Sequence, residues 1–118
     1  MNKYVKARVD CLAKKKVKET RELKKRMDKF VRNNVERLVY AYTHGHPSAT
    51  LRARYTEFNS SAIRVAVVKR VLDALYHKGL KFTVGVFSDD SRDYDVIRDV
   101  YFYDGTDTPK NQYEPEEA

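Results

Sequence analysis

The sequence predicts an α+β fold: a long N-terminal amphipathic helix followed by a β-α-β-β unit with a small three-stranded sheet. Three observations lead to this prediction. Apolar residues recur with the helical period over residues 20–43. A second helical stretch with a wide apolar face covers 59–79. Two stretches rich in β-forming residues, 80–87 and 94–103, alternate apolar with polar side chains.

The first helix is defined by apolar residues three and four positions apart, which places them on one face. Gly45, within THGHPS, suits the left-handed position after a helix, and Pro47 cannot continue the hydrogen-bond ladder, so we expect the helix to end there. The apolar residues on this face are Leu23, Met27, Phe30, Val31, Val35, Leu38 and Tyr42.

The same face can be followed upstream through Val5, Val9 and Leu12. Lys16 and Thr20 then lie on it and interrupt the apolar side. We therefore expect a short first helix, or a frayed or bent extension, before the main helix begins near residue 20.

Residues 50–58, TLRARYTEF, fit two patterns. Leu51, Ala53 and Tyr55 alternate with arginines as in a half-buried strand, yet Leu51, Tyr55 and Phe58 also fit one face of a helix. We prefer the strand. A helix here would give three helices followed by a hairpin, the element order of a winged helix-turn-helix, which is the alternative fold.

The second helix is predicted over 59–79, with Ser60 or Ser61 as its N-terminal cap and Gly79 after its last turn. Its wide apolar face indicates burial against a sheet. A strand, a helix and a strand in succession indicate a crossover between parallel neighbouring strands. The two β-rich stretches are then expected to form a hairpin, with the last strand antiparallel.

The length of the chain limits its domain organisation. A chain of 118 residues holds one core, so we expect a single α+β domain over 1–104. Residues 105–118 combine turn formers, two prolines and acidic residues without a period. They are predicted to form an acidic, flexible tail.

The N-terminus, MNKYVKARVDCLAKKK, has no apolar core of the kind that a secretory signal contains. No stretch approaches the roughly 20 apolar residues that span a bilayer. We therefore expect a cytoplasmic protein without membrane association. The single cysteine, Cys11, agrees with a reducing compartment and is expected to be a small buried apolar residue.

Charge is distributed unevenly along a chain whose formal net charge is +7. Residues 1–43 carry 14 basic against 5 acidic side chains, residues 44–88 carry 7 against 2, and residues 89–118 carry 3 against 10. This asymmetry indicates attraction to polyanions and an acidic end able to shield the same surface. Solubility alone is the alternative explanation.

Six cations of the first helix fall within an arc of about 80° when residues are placed 100° apart. These residues, named here the basic ridge, are Lys14, Lys18, Arg21, Lys25, Lys29 and Arg32. The apolar residues lie opposite, so the ridge is expected to face outward while the helix is anchored to the core. Exposed faces usually mix signs because like charges four residues apart repel, so an uninterrupted ridge favours a polyanionic ligand over a solvated face.

The ridge is rich in lysine, which engages phosphate as a point charge without the planar fork that reads guanine. It therefore predicts backbone contacts with DNA or RNA and little sequence readout. A second surface is predicted on the sheet, where Arg52 and Arg54 point away from Leu51, Ala53 and Tyr55. That surface would also contain Lys81, Thr83, Tyr101 and Tyr103, whose rings would stack on unpaired bases unless the tyrosines belong to the core.

Nothing in the sequence indicates catalysis. His44 and His46 lie in a turn, and the aspartates of the polar loop predicted at 88–95 lack the spacing of a calcium-binding loop. They are expected to form a solvated turn or a hook for a basic partner. No glycine-rich phosphate loop or nucleophile motif is present. We expect no enzyme activity, no metal site and no cofactor.

These features favour a nucleic-acid-binding protein that contacts phosphates through the basic ridge, with Arg52 and Arg54 as further contacts. It would have little sequence specificity and a regulatory role, with affinity moderated by the acidic tail. The alternative is a protein-interaction module, an inhibitor or adaptor, that binds a partner protein through the long helix and the acidic hairpin loop. Asn34, on the apolar face, is compatible with a homodimer seam and equally with a hydrogen-bonded core asparagine.

Overall fold

A computed structural model of the chain describes residues 2–85, 88–90 and 94–116, with only the backbone described for 88–90. These residues form two helices and four strands: α1 (Lys3–Thr43), β1 (Ser48–Ala53), α2 (Ser61–His77), β2 (Phe82–Val84), β3 (Ser88–Asp90) and β4 (Asp95–Phe102). The predicted α+β fold is confirmed, and the preferred strand after α1 is present. The chain divides into two compact units, Met1–Phe30 and Val31–Ala118.

The first helix differs from its prediction in extent. A single α-helix of 41 residues runs from Lys3 to Thr43. The prediction of a separate short first helix is therefore wrong, and residues 3–20 extend the main helix, as the alternative of a frayed or bent extension allowed. Backbone hydrogen bonding does not require an apolar side, and lysine is a good helix former. The interruption therefore affects burial and leaves the backbone helical.

β4 is the central strand of the sheet, which has the order β1-β4-β2. Both β1 and β2 pair antiparallel with β4, and β3 pairs antiparallel with the other end of β4. β1 and β2 are thus parallel to each other, but β4 lies between them, whereas the sequence predicted parallel neighbours. The predicted polar loop is also shorter, because Ser88–Asp90 form a strand and β4 begins at Asp95.

The core of the second unit lies between the sheet and two helical segments. Leu51 and Ala53 of β1 and Val96 and Val100 of β4 are buried on one face of the sheet. α2 packs on β1 and β4, and its buried apolar residues are Val67, Val68, Val71, Leu72 and Leu75. On the other face of the sheet, the described side chains of Thr50, Asp99 and Tyr101 are exposed. This face is named here the open face.

Residues 31–43 of α1 lie against the same sheet face. The Tyr42 ring meets Phe102 edge to face at 5.4 Å between centroids, and its hydroxyl accepts a hydrogen bond from the Lys81 N–H at 3.4 Å. Arg37 donates to the Thr50 carbonyl at 2.8 Å and to the Asn34 side-chain oxygen at 3.0 Å. The side chain of Asn34 is therefore hydrogen-bonded.

A glycine lies two residues beyond the last residue of each helix, as predicted. Gly45 and Gly79 have φ of +76° and +86°, in the left-handed region. At each end, the glycine and the residue after it donate N–H groups back to carbonyls of the last turn, which satisfies groups that the helix leaves open. Ser60 caps the start of α2, where its hydroxyl accepts a hydrogen bond from the Ile63 N–H at 3.4 Å.

Part of the predicted tail packs within the second unit, against β2 and α2. The Gln112 side chain accepts from the Phe82 N–H at 2.9 Å and donates to the Leu80 carbonyl at 3.1 Å. The Tyr113 N–H donates to the Phe82 carbonyl at 3.0 Å, and its ring stacks on Phe82 at 5.5 Å. Its hydroxyl donates to Asp73 at 2.5 Å. These contacts cover the edge of β2 that does not pair with β4.

Candidate nucleic-acid interface

The basic ridge lies on the surface of one continuous helix. All six ridge side chains are exposed. The first five belong to the first unit, and Arg32 follows Lys29 by less than one turn in the second unit. At 1.5 Å per residue, the ridge is about 27 Å long from Lys14 to Arg32.

The ridge cations are not engaged by neighbouring side chains. Within residues 2–30, none of the five ridge side chains there forms a hydrogen bond or an ion pair. The same is true of Arg32 among the described residues of the second unit. Among the described residues of each unit, the ridge cations therefore have no neutralising partner.

The side of α1 opposite the ridge is buried only in part, which corrects the expectation that it is anchored to the core along its length. Phe30, Val35 and Leu38 are buried, but every side chain from residue 2 to 22 is exposed. The expectation is wrong for this first part. The first part stays exposed because Lys16 lies in the middle of its apolar side, and burying an unpaired ammonium group is costly.

Cys11 is exposed, so the expectation of a buried cysteine is also wrong. At 100° per residue, Cys11 lies at the border of the ridge arc. It therefore lies on the side of the helix that carries the ridge lysines and not on the side that carries Val9 and Leu12.

The two arginines of the predicted sheet surface have different environments. Arg52 is half-exposed, and its Nε donates to the Asp95 carboxylate at 2.6 Å while one of its terminal nitrogens forms an ion pair with the same carboxylate. Arg54 lies beyond the end of β1, in a turn closed by the Glu57 and Phe58 N–H groups donating to its carbonyl. Its side chain is exposed.

The open face of the sheet brings together other residues of that predicted surface. The strand register pairs Thr83 with Tyr101, and Arg52 with Ile97, which places these residues on one face. Tyr101 and Tyr103 are 49% and 37% exposed, so they are not core residues. Tyr55, expected on the buried face, is 47% exposed because β1 ends before it.

Carboxylates lie beside these tyrosines. Asp99 accepts a hydrogen bond from the Thr50 hydroxyl at 3.1 Å. Asp107 accepts one from the Tyr103 hydroxyl at 3.2 Å, and this bond raises the pKa of Tyr103. The open face is thus of mixed charge and suits a phosphate chain less well than the ridge does.

Asp95 is a structural residue that the sequence reading assigned to a solvated loop. Its side chain is buried, and it accepts hydrogen bonds from the Tyr55 N–H at 2.7 Å and from Arg52. The Tyr55 N–H, followed by Arg52, holds the pKa of Asp95 below its usual value against the opposing effect of burial. The predicted strand 94–103 already contained Asp95, so only the expectation of a solvated turn is wrong for this residue. Residue 93 and the side chains of 89 and 90 lie outside the described residues.

The histidines before β1 lie in the turn that follows α1. His44 stacks on Tyr40 with 3.8 Å between ring centroids, and its Nδ1 lies 2.8 Å from the Tyr40 carbonyl oxygen. Across residues 2–85 and 94–116, no three His, Cys, Asp or Glu side chains converge on a common point. In the same described part of the chain, neither helix has an apolar stretch long enough to cross a bilayer.

Comparison of the chain with protein-family models, curated proteins and solved structures finds no match. A functional argument therefore depends on the geometry above. Its most distinctive part is the row of six exposed cations along α1.

Proposed function

We propose that the chain is a nucleic-acid-binding protein that contacts the phosphates of DNA or RNA through the basic ridge. The observation that carries the proposal is the row of six exposed cations, none of which is engaged by a carboxylate among the described residues of its own unit. Repulsion along such a row is relieved when a polyanion neutralises it.

The spacing of the ridge favours contacts with the phosphate backbone. Successive ridge residues are three or four positions apart, which corresponds to about 4.5–6 Å along the helix axis. A row one cation wide follows a single line of phosphates. Four of the six cations are lysines, so the proposal includes little sequence specificity.

The sheet arginines have a smaller part in the proposal. Arg54 is exposed and adds a phosphate contact, whereas the charge of Arg52 is already balanced by Asp95. The acidic end of the chain gives the protein a regulatory role in the cytoplasm. The exposed carboxylates of Asp104, Asp107, Glu114 and Glu116 lower its affinity for nucleic acid by competing with phosphate for the same cations.

The experiment that tests the proposal measures binding to labelled oligonucleotides by fluorescence anisotropy at a series of salt concentrations. If the ridge neutralises six phosphates, the logarithm of the association constant falls against the logarithm of salt concentration with a slope approaching about −5 for duplex DNA and about −4 for a single strand. Scrambling the oligonucleotide sequence leaves the affinity unchanged. Absence of binding at low salt contradicts the proposal.

A further inference from the structure

Residues 3–20 carry an apolar stripe that nothing in their own unit covers. Val5, Val9 and Leu12, named here the N-terminal stripe, are 52%, 51% and 49% exposed. They are spaced i, i+4 and i+7, which places them within about 60° on one side of the helix. This is the spacing by which amphipathic helices anchor in the grooves of partner proteins.

We propose that the N-terminal stripe docks into an apolar groove of an acidic partner protein. The three side chains fill the groove, and the surrounding cations meet carboxylates on its rim. This binding surface is independent of the basic ridge and does not require that the chain bind nucleic acid.

Charge identifies the kind of partner. Residues 3–20 contain seven basic and two acidic side chains. Lys6, Arg8, Lys15 and Lys16 lie beside or within the stripe. Of the two acidic residues, Glu19 lies beside it and Asp10 lies about 100° from Val9, its nearest stripe residue. A second copy of this helix would place like charges against each other, so the stripe is unsuited to self-association. A groove with an acidic rim is complementary to it.

The stripe and the ridge occupy opposite sides of the same helix. At 100° per residue, their centres are about 170° apart. A partner protein on the stripe therefore leaves the ridge lysines accessible, and the helix is able to hold a protein on one side and a polyanion on the other.

The test uses the full chain with the photo-cross-linking residue benzoylphenylalanine in place of Val9, added to a nuclease-treated extract of its host cells. A single acidic protein is expected in the cross-link, and its direct binding is then measured with the purified protein. The variant Val5→Thr, Val9→Thr, Leu12→Gln keeps the charge and nearly the volume of the stripe. It is expected to weaken binding by about tenfold or more.

The matched control is the ridge variant Lys18→Glu, Arg21→Glu, Lys25→Glu, which is expected to change the affinity for the acidic protein by less than about threefold. Oligonucleotide affinity is expected to show the reverse pattern, so failure of one surface is distinguishable from failure of the other. Cross-linking to a second copy, to no protein, or to a protein whose binding tolerates the stripe variant overturns the proposal. So does stripe-dependent binding to phosphatidylcholine vesicles containing phosphatidylserine.

Discussion

Arg52 of β1 and Asp95 of β4 form an ion pair that joins an edge strand of the sheet to its central strand. The same carboxylate accepts the Tyr55 N–H at 2.7 Å and so also fixes the turn that follows β1. One buried acid thus holds a strand and a turn in place. The pair stabilises the fold, and the ridge supplies the surface proposed for binding.

The substitution Asp95→Asn is expected to lower the thermal midpoint at neutral pH, because the amide cannot pair with Arg52 as a carboxylate does. The pKa of Asp95 is lowered in the folded state by the Tyr55 N–H and by Arg52. Its contribution to stability is therefore present above the unfolded pKa of about 3.9 and is lost as the pH falls through the folded-state pKa. The difference in thermal midpoint between wild type and variant should become smaller below about pH 4.

Thermal melts of both proteins from neutral pH to below about pH 4 measure this difference in midpoint. The exposed Asp104, changed to Asn, is the control and should leave the midpoint nearly unaltered. A gap for Asp95→Asn that stays constant down to the lowest pH would contradict the assigned ionic role.

Gly45 offers a test of backbone conformation alone. Its φ is +76°, and a Cβ placed there meets no atom within 4 Å, so only the left-handed backbone opposes a side chain. Gly45→Ala is expected to lower the free energy of unfolding by about 1 kcal/mol. Gly45→Asn should lower the free energy of unfolding by less, because asparagine adopts the left-handed backbone region more readily than alanine does. Urea unfolding measures both, and equal stability of the alanine variant and wild type would be inconsistent with the helix stop described here.

Gln112 is expected to contribute to stability although it lies in the predicted tail. Gln112→Ala removes the partner of the Phe82 N–H and of the Leu80 carbonyl, which should cost about 1–3 kcal/mol. The neighbouring exposed Asn111, changed to Ala, should alter stability by less than about 0.5 kcal/mol. Similar unfolding curves for the two variants would show that residues 109–113 do not pack on β2 in solution.

Cys11 should react with a thiol reagent in the native protein. Because its side chain is exposed, the rate with Ellman's reagent should be close to that of the urea-unfolded chain. The absorbance of the released thiolate measures the reaction rate. Slow reaction that accelerates only on unfolding would place Cys11 in the interior, as the sequence alone suggested.

Local signals in the sequence were sufficient for several elements. Gly45 and Gly79 end their helices because a left-handed residue is sterically cheap only for glycine, and Ser60 caps α2 by a contact three residues away. The alternation of Leu51 and Ala53 with arginines was enough to prefer a strand over a helix.

Non-local contacts could not be predicted in the same way. The partner of Arg52 lies 43 residues away, so neither residue signals the pair by itself. The insertion of β4 between β1 and β2 likewise depends on which strand edges meet. For α1, periodicity identified the apolar side correctly but could not tell where another element covers it, and burial starts only near Phe30.

The acidic end of the chain is expected to weaken nucleic-acid binding. Neutralising Asp104, Glu114 and Glu116 as Asn, Gln and Gln removes three exposed negative charges. Oligonucleotide affinity should then rise by about two- to fivefold at low salt, with the gain disappearing as salt screens the charges. Anisotropy titrations at two salt concentrations measure the change, and an unaltered affinity would argue against a regulatory tail.

The most direct test of the central claim compares two charge reversals of equal size on α1. Lys18→Glu, Arg21→Glu, Lys25→Glu lies on the basic ridge, and Lys6→Glu, Lys16→Glu, Lys24→Glu lies outside the ridge arc, about 100° to 180° from its centre. Oligonucleotide affinity by anisotropy should fall at least about a hundredfold for the ridge variant, with its salt slope roughly halved, and much less for the other. Equal losses for the two variants would show that net charge alone attracts the polyanion and that the ridge is not the binding surface.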